Sequence, residues 1–123
     1  MAKNYKDLDI YKASFDLFIK THRFSARLPK QERFELGSQL RRSSDSIVSN
    51  IVEGYGRKKY KSDFLKHLIY AKASNDETIC HLEKIKILYP DLAIPADYLI
   101  NENNLLGAKI HSFMNYVQKY WKT

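Results

Sequence analysis

The sequence predicts an all-α protein, folded as an antiparallel up-down four-helix bundle. Apolar residues recur at steps of three and four along four long segments, the spacing that places side chains on one face of a helix. Only four Gly and three Pro interrupt the 123 residues, and the Pro are confined to positions 29, 90 and 95. The links between segments are short, which favours antiparallel neighbours, and no linker or repeat divides the chain. We therefore expect one domain over residues 1–123.

The first two helices are predicted on either side of Pro29. The first covers residues 7–27, and the second opens near Lys30, where Glu32 places an acid close to a helix start. The stripe of the first helix is Leu8, Tyr11, Phe15, Phe18, Ile19, His22 and Ala26. The stripe of the second is Leu36, Leu40, Ser43, Ser44, Ile47 and Ile51. We expect the second helix to stop at Gly54, acting as a C′ residue that tolerates positive φ.

The third helix is predicted between Ser62 and Tyr89, because Pro90 disfavours helix at the residue before it. Its stripe is Phe64, Leu68, Ala71, Asn75, Ile79, Leu82, Ile85 and Leu88. A capping-box pattern at Ser74 and Glu77 is compatible with a break. The stripe keeps its phase across that pattern, so we expect one continuous helix.

A loop over residues 91–97 and a fourth helix over residues 96–122 complete the prediction. The loop segment contains Pro95 and an acidic pair. The stripe of the helix is Leu99, Leu106, Ile110, Phe113, Val117 and Tyr120. Gly107 should allow a neighbouring helix to approach closely.

Patterns for metal binding and catalysis are missing from the sequence. Di-metal bundles use Glu-x-x-His pairs on facing helices, and no Glu here has a His three residues later. Glu77 and His81 share a helical face, but two ligands from one helix are too few. Some helical ribonucleases pair an Arg with a His four to six residues later, a spacing that this chain lacks. We expect no enzyme activity, no metal and no cofactor.

The charge balance favours a polyanionic partner. Lys and Arg outnumber Asp and Glu by 21 to 14, which gives a net charge of +7. The densest cations, with Tyr55 and Tyr60 beside them to stack on bases, are Arg57, Lys58, Lys59 and Lys61. A solvated helix entry explains this cluster equally well, so both interpretations stay open.

Polar residues inside the apolar stripes predict a structural network, because buried polar groups must be paired. Its members are Arg41, Arg42, Asn50, Glu53 and Glu77. We expect a carboxylate of Glu53 or Glu77 to meet one of the two guanidinium groups between helices. Small Ser side chains should let the helix backbones approach each other.

Composition also predicts the compartment. The single Cys80 cannot form an intrachain disulfide, and no N-terminal run has the order of a signal peptide. No stretch reaches the roughly 20 apolar residues of a membrane span. We expect a cytoplasmic protein with no membrane partner.

The sequence SQLRRSSDSIVSNIVEGYGR at residues 38–57 resembles the signature of the four-helix bundle proteins encoded in intervening sequences of bacterial 23S ribosomal RNA genes. The segments DLDIYKA at 7–13, LPKQERFEL at 28–36 and KSDFL at 61–65 extend the resemblance over nearly the whole chain. It implies a bundle that assembles as a homopentamer, similar to the accessory protein of diversity-generating retroelements. That protein partners a reverse transcriptase and binds nucleic acid through a basic surface.

The leading functional expectation is a non-enzymatic homo-oligomer that contacts the RNA or DNA backbone without base specificity, because no groove-reading motif is found. The alternative is a protein adaptor that holds an enzyme such as a reverse transcriptase. Nine Tyr are more than a small core needs, and exposed aromatic residues favour a partner interface.

Overall fold

Four long helices surround one hydrophobic core in the computed structural model, which describes residues 3–122. The helices are α1 (Asp9–Ser25), the one-turn α2 (Lys30–Arg33), α3 (Leu36–Gly56), α4 (Lys61–Leu88) and α5 (Ala93–Tyr120). Short 3-10 turns cover Tyr5–Asp7 and Pro90–Leu92. Residues 3–122 contain no strand, so the all-α prediction is confirmed.

The core lies where the four long helices meet. α3 packs on α4, α4 packs on α5, and α1 packs against both α3 and α5. The largest fully buried side chains include Leu40, Ile51, Phe64, Leu82 and Ile110. A helix with one polar face is only marginally stable alone in water, so these shared apolar contacts hold the helices in place.

The predicted stripe of α1 has the wrong phase. Phe15 is 46% exposed, whereas Ile10, Leu17 and Phe24 are buried together with the small polar Thr21. Two apolar sets are interleaved on this helix, and the aromatic set is the more conspicuous in sequence. The set with Ile10, Leu17 and Phe24 faces the core, because small residues such as Thr21 lie on the same face and permit the close approach of α3 and α5.

Gly54 does not end its helix, which corrects the prediction of a C′ glycine. α3 continues to Gly56, and no described residue has a positive φ. A Cβ on Gly54 would lie 2.9 Å from the Cβ of His67 on α4. The glycine is needed for helix contact rather than for chain reversal. At Gly107 the predicted close approach is confirmed, because a Cβ there would lie 2.9 Å from Nδ2 of Asn75.

The predicted loop over residues 91–97 is wrong. A 3-10 turn at Pro90–Leu92 leads directly into α5, whose first residue is Ala93. Pro95 is therefore the third residue of a helix. The first turn of a helix has amide groups without intrahelical acceptors, so a proline there removes no helical hydrogen bond.

Continuity of the third predicted helix is confirmed. α4 extends without a break through residues 74–78, and Asn75 and Thr78 in this polar stretch are buried. Within residues 3–122, no helix combines the length and apolar composition needed to cross a membrane.

Candidate nucleic-acid interface

The turn between α3 and α4 presents the predicted cations at one end of the protein. The amide of Arg57 donates to the carbonyl oxygens of Glu53 and Gly54, and the amide of Tyr60 donates to the carbonyl of Arg57. These bonds close the turn before α4 starts at Lys61. Cations in this turn also lie near the C-terminal end of α3, where the helix dipole favours positive charge.

Three of the predicted cations have local partners. The Arg57 guanidinium donates to Glu53 Oε1 at 3.2 Å, and both side chains are about half exposed. Lys58 Nζ lies 4.0 Å from the ring centroid of Tyr55, and Lys59 Nζ lies 5.8 Å from that of Tyr60. Exposed ion pairs contribute little, about 0–1 kcal/mol, so a phosphate can compete for Arg57.

The end of α5 is fixed against this turn. Trp121 Nε1 donates to the carbonyl oxygen of Lys58 at 2.9 Å, and Lys61 Nζ donates to the carbonyl oxygen of Gln118 at 2.6 Å. The Trp121 ring also meets the buried Phe64 ring edge-on, with centroids 5.2 Å apart. The C-terminal end of the described chain therefore contributes directly to the surface around the turn.

This contact brings to the turn a segment with two further exposed cations, which sequence reasoning missed. We name the combined surface the turn patch. Its members are Arg57, Lys58, Lys59, Lys61, Lys119 and Lys122. Lys119 and Lys122 belong to the segment that Trp121 anchors, and both are exposed. The predicted up-down bundle contained this signal, because such a bundle places the end of its fourth helix beside the link between the second and third.

Two tyrosines beside the turn patch can stack on bases, although they differ from the predicted pair. Tyr60 and Tyr120 are exposed. Tyr55 is only 7% exposed and its ring packs edge-on against Phe64, so the prediction that Tyr55 stacks on a base is wrong. Exposed aromatic faces beside cations are typical of sequence-tolerant binding to unpaired bases.

The residues predicted to form one polar network make separate contacts with other partners. Arg41 donates to Ser25 Oγ and to the carbonyl oxygen of Arg33, which ties α3 to the end of α1 and to α2. Arg42 is exposed. Glu53 pairs with Arg57, and Glu77 bonds His81 on its own helix. The predicted meeting of either Glu with Arg41 or Arg42 is wrong, because both Glu side chains are at least half exposed and have other partners. Glu53 Oε1 also lies 4.0 Å from Nε2 of His67 on α4.

Asn50 takes part in a row of polar contacts between α3 and α4. Its Oδ1 lies 3.1 Å from His67 Nδ1, and its Nδ2 donates to the carbonyl oxygen of Ser46. Ser46 Oγ lies 2.9 Å from Ser74 Oγ. We name this row the polar seam; its members are Ser43, Ser46, Asn50, His67, Ser74 and Thr78.

His81 and Glu77 form the pair that sequence analysis considered for a metal. His81 Nε2 lies 3.1 Å from Glu77 Oε2, and His81 is buried whereas Glu77 is exposed. Among residues 3–122, no group of three His, Cys, Asp or Glu side chains lies close enough together to hold a metal ion.

The family assignment comes from a match over residues 6–90, more than two thirds of the chain. The matching family model describes the 23S rRNA-intervening sequence proteins. The chain belongs to this family. No curated protein matches the chain. The matched region of this intervening-sequence family member contains Arg57, Lys58, Lys59 and Lys61, whereas Lys119 in α5 and Lys122 after it lie beyond the match.

Proposed function

We propose that this protein is a non-enzymatic, cytoplasmic homo-oligomer that binds the backbone of RNA or DNA without sequence specificity. The observation that carries the proposal is the turn patch, where the turn cations meet the chain segment that contains Lys119 and Lys122, with Tyr60 and Tyr120 exposed nearby. Each phosphate neutralised by a cation releases condensed counterions, which favours binding at low salt.

Backbone recognition fits the chemistry of this surface. The ammonium groups of Lys59 and Lys122 are exposed point charges, and such charges contact phosphates without reading bases. Sequence readout needs a helix or ribbon that enters the major groove with side chains aimed at base edges. The turn patch is the end of a set of packed helices, a shape that suits phosphates and unpaired bases better.

The proposal is tested by titrating purified protein into fluorescent structured RNA and duplex DNA over a series of salt concentrations. The variant replaces Arg57, Lys58, Lys59 and Lys61 by Ala. We expect weaker binding and a shallower salt dependence, with the slope of log K against log salt reduced by about 3–4 for duplex DNA if all four contact phosphates.

A matched control removes the same charge elsewhere. It replaces the exposed Lys12, Lys30, Arg42 and Lys84 by Ala. This control should keep the steeper slope of the wild-type protein. Equal slopes for the two variants would show that only net charge matters, and would contradict a dedicated surface.

Self-association is part of the proposal, with a homopentamer as the assembly that the family resemblance implies. Exposed apolar side chains support it: Phe15 on α1, Ile69 on α4 and Leu105 on α5. They lie on three helices, and a ring needs two different patches on each subunit, because its contacts are head-to-tail. Light scattering of the eluting protein should give five chains, and Leu105→Glu should lower that number. A wild-type mass of one chain would contradict the assembly.

We also infer that the four long helices run antiparallel in an up-down bundle. Polar partners on α3 and α4 follow opposite orders, from Ser46 with Ser74 to Asn50 with His67. In a Cys80→Ser background, the pair Ser46→Cys and Ser74→Cys should form a disulfide, because the two hydroxyl oxygens that the sulfurs replace are 2.9 Å apart. Failure of this pair to oxidise would contradict this arrangement.

The alternative function is an adaptor that holds an enzyme, such as the reverse transcriptase of a diversity-generating retroelement. Strongly exposed apolar side chains favour it, above all Ile94 at 85%. Recovery of one stoichiometric protein after nuclease treatment, lost in an Ile94→Glu variant, would support the adaptor. Recovery of nucleic acid alone would support the leading proposal.

A further inference from the structure

A second cationic surface lies far from the turn patch. A groove of about 300 Å³ runs between the last turns of α1 and the first turns of α5. The residues of α5 that line it are some 20 positions from Lys119, which corresponds to about 30 Å along a helix. The groove is therefore a separate site and not an extension of the turn patch.

The floor of the groove is apolar and one wall is aromatic. Phe24 and Leu99 lie at the bottom and are almost completely buried. Pro95 and Tyr98 form the α5 side, and Tyr98 keeps 49% of its surface exposed. Ligand sites typically combine such an apolar floor with a few polar groups at the rim.

The rim contains three cations from one face of α1. Lys20, Arg23 and Arg27 follow one another at steps of three and four, and all three line the groove. Lys20 Nζ donates to the Tyr98 hydroxyl at 3.0 Å and pairs with Asp16. These two hydrogen bonds, the one to Tyr98 first, raise the pKa of Lys20, so its ammonium stays charged at physiological pH.

The other two cations have no partner in the described part of the chain. Within residues 3–122, the guanidinium groups of Arg23 and Arg27 make neither an ion pair nor a side-chain hydrogen bond. No carboxylate is among the described residues that line the groove. The first turn of α5, which holds Pro95, adds the positive end of a helix dipole. The groove is thus complementary to an anion with an apolar, planar part.

We propose that this groove binds an unpaired nucleotide within a single strand of nucleic acid. The base stacks on Tyr98 above the apolar floor, and the flanking phosphates meet Arg23 and Arg27. The inference rests on the proposed function and extends it, because it names single-stranded nucleic acid as the ligand of a second site. Stacking platforms beside cations are the usual means of holding unpaired strands.

The experiment uses a uridine tetranucleotide that carries one photoreactive 4-thiouridine. Its affinity for the full-length protein is measured, and the cross-linked peptide is identified by mass spectrometry. We expect cross-links in the peptide that contains Tyr98. The double variant Arg23→Gln with Arg27→Gln should bind about tenfold more weakly, and so should Tyr98→Leu. Tyr98→Phe should bind like the wild type, because it keeps the ring and loses only the bond to Lys20.

Two further variants separate the groove from net charge and from the turn patch. Lys12→Gln with Lys84→Gln removes equal charge from exposed sites and should leave the affinity unchanged. The quadruple Ala variant of Arg57, Lys58, Lys59 and Lys61 should still cross-link at Tyr98. Circular dichroism confirms that each variant keeps its helices.

The outcomes for the two sites are distinguishable. Wild-type affinity in both the Arg pair variant and Tyr98→Leu would overturn the groove, whatever the salt series shows for the turn patch. Cross-linking at Tyr98 with no effect of the turn-patch variant on long nucleic acids would support the groove and refute the proposed role of the turn patch. Equally tight binding of an oligoglutamate peptide, with competition against the tetranucleotide, would overturn the assignment to nucleotides.

Discussion

Glycines occupy two opposite environments near the end of α3. Gly54 faces α4, and a Cβ on it would meet the Cβ of His67 at 2.9 Å and Phe64 Cδ1 at 3.4 Å. Gly56 is two residues later on the same helix, and a Cβ on it would have no heavy atom within 4 Å. The first glycine is required by packing, whereas the second only weakens the helix.

Substituting these two glycines by alanine should therefore change stability in opposite directions. Gly54→Ala should lower the free energy of unfolding by about 1–2 kcal/mol, because overpacking exceeds the gain in helix propensity. Gly56→Ala should raise it by about 0.5–1 kcal/mol. Urea unfolding of both variants checks this pair of effects. Equal changes in the free energy of unfolding would mean that α3 and α4 lie farther apart beside Gly54 than the structure shows.

Tyr89 ties the end of α4 to the segment before α3. Its hydroxyl donates to Glu32 Oε2 at 2.6 Å. This bond to the carboxylate raises the pKa of Tyr89 above the ordinary value of 10.0, with partial desolvation as a second cause. A raised folded-state pKa means that the bond contributes stability below pH 10, and that this contribution is lost as pH rises through the folded-state pKa.

Tyr89→Phe should lower the free energy of unfolding at neutral pH. The difference from the wild type should shrink above pH 10, where the wild-type phenol also loses its proton and faces Glu32 as a like charge. Denaturant unfolding of both proteins at neutral and alkaline pH measures this. A difference that grows with pH would contradict the assignment of Tyr89 as the donor.

At the scale of elements, the polar seam determines how α3 and α4 fit. Thr78 Oγ1 lies 2.8 Å from Ser43 Oγ and 2.8 Å from the carbonyl oxygen of Ser74. Ser43 Oγ donates to the carbonyl oxygen of Leu40. Buried hydroxyls satisfied in this way allow close helix packing, and their positions along each helix distinguish one register from its neighbours.

Thr78→Val tests the seam because it keeps the shape of the side chain and removes the hydroxyl. We expect a loss of about 1–2 kcal/mol in unfolding free energy. A cycle with Ser43→Ala should show a coupling of about 0.5–1.5 kcal/mol. Asp45→Ala, on the exposed face of the same helix, serves as the control and should change stability by less than about 0.5 kcal/mol. Additive effects of the Ser43 and Thr78 variants would show that the hydroxyls act independently.

At the scale of the whole molecule, the position of α5 matters more than its composition. Its first turns complete the groove beside Arg23 and Arg27, and its last turn completes the turn patch. Net charge alone, +7 over 123 residues, describes neither surface. What matters for a polyanion is that cations distant in sequence lie side by side.

Trp121→Ala should therefore weaken binding of long nucleic acids although it removes no charge. Loss of the indole bond to the carbonyl oxygen of Lys58 frees the last turn of α5, so Lys119 and Lys122 no longer reinforce the turn. The salt series measures the effect, and we expect a smaller loss of affinity than in the quadruple Ala variant. Trp121→Phe, which retains the ring contact with Phe64, should have an affinity between those of the wild type and Trp121→Ala. Unchanged binding in Trp121→Ala would restrict the interface to the turn itself.

The sequence by itself determined the helical class, the approximate positions of the long helices and the cations of the turn. These follow from apolar period, from three prolines and from local charge density, all of which are properties of neighbouring residues. Its signature also identified the family, which the match over residues 6–90 confirms.

Only the tertiary structure decided which apolar face of α1 is buried, why Gly54 is a glycine and where the carboxylates of Glu53 and Glu77 point. It also placed Gln118 and Trp121, the neighbours of Lys119, against the turn, and it placed Arg23 and Tyr98 in the same groove. The physical reason is that helix period defines faces but not their partners. When a helix carries two apolar faces, the face that is buried is the one that fits the shapes of the neighbouring helices. The neighbours of an exposed charge are likewise set by how the helices pack. Close packing depends on residues distant in sequence, so local sequence does not encode either result.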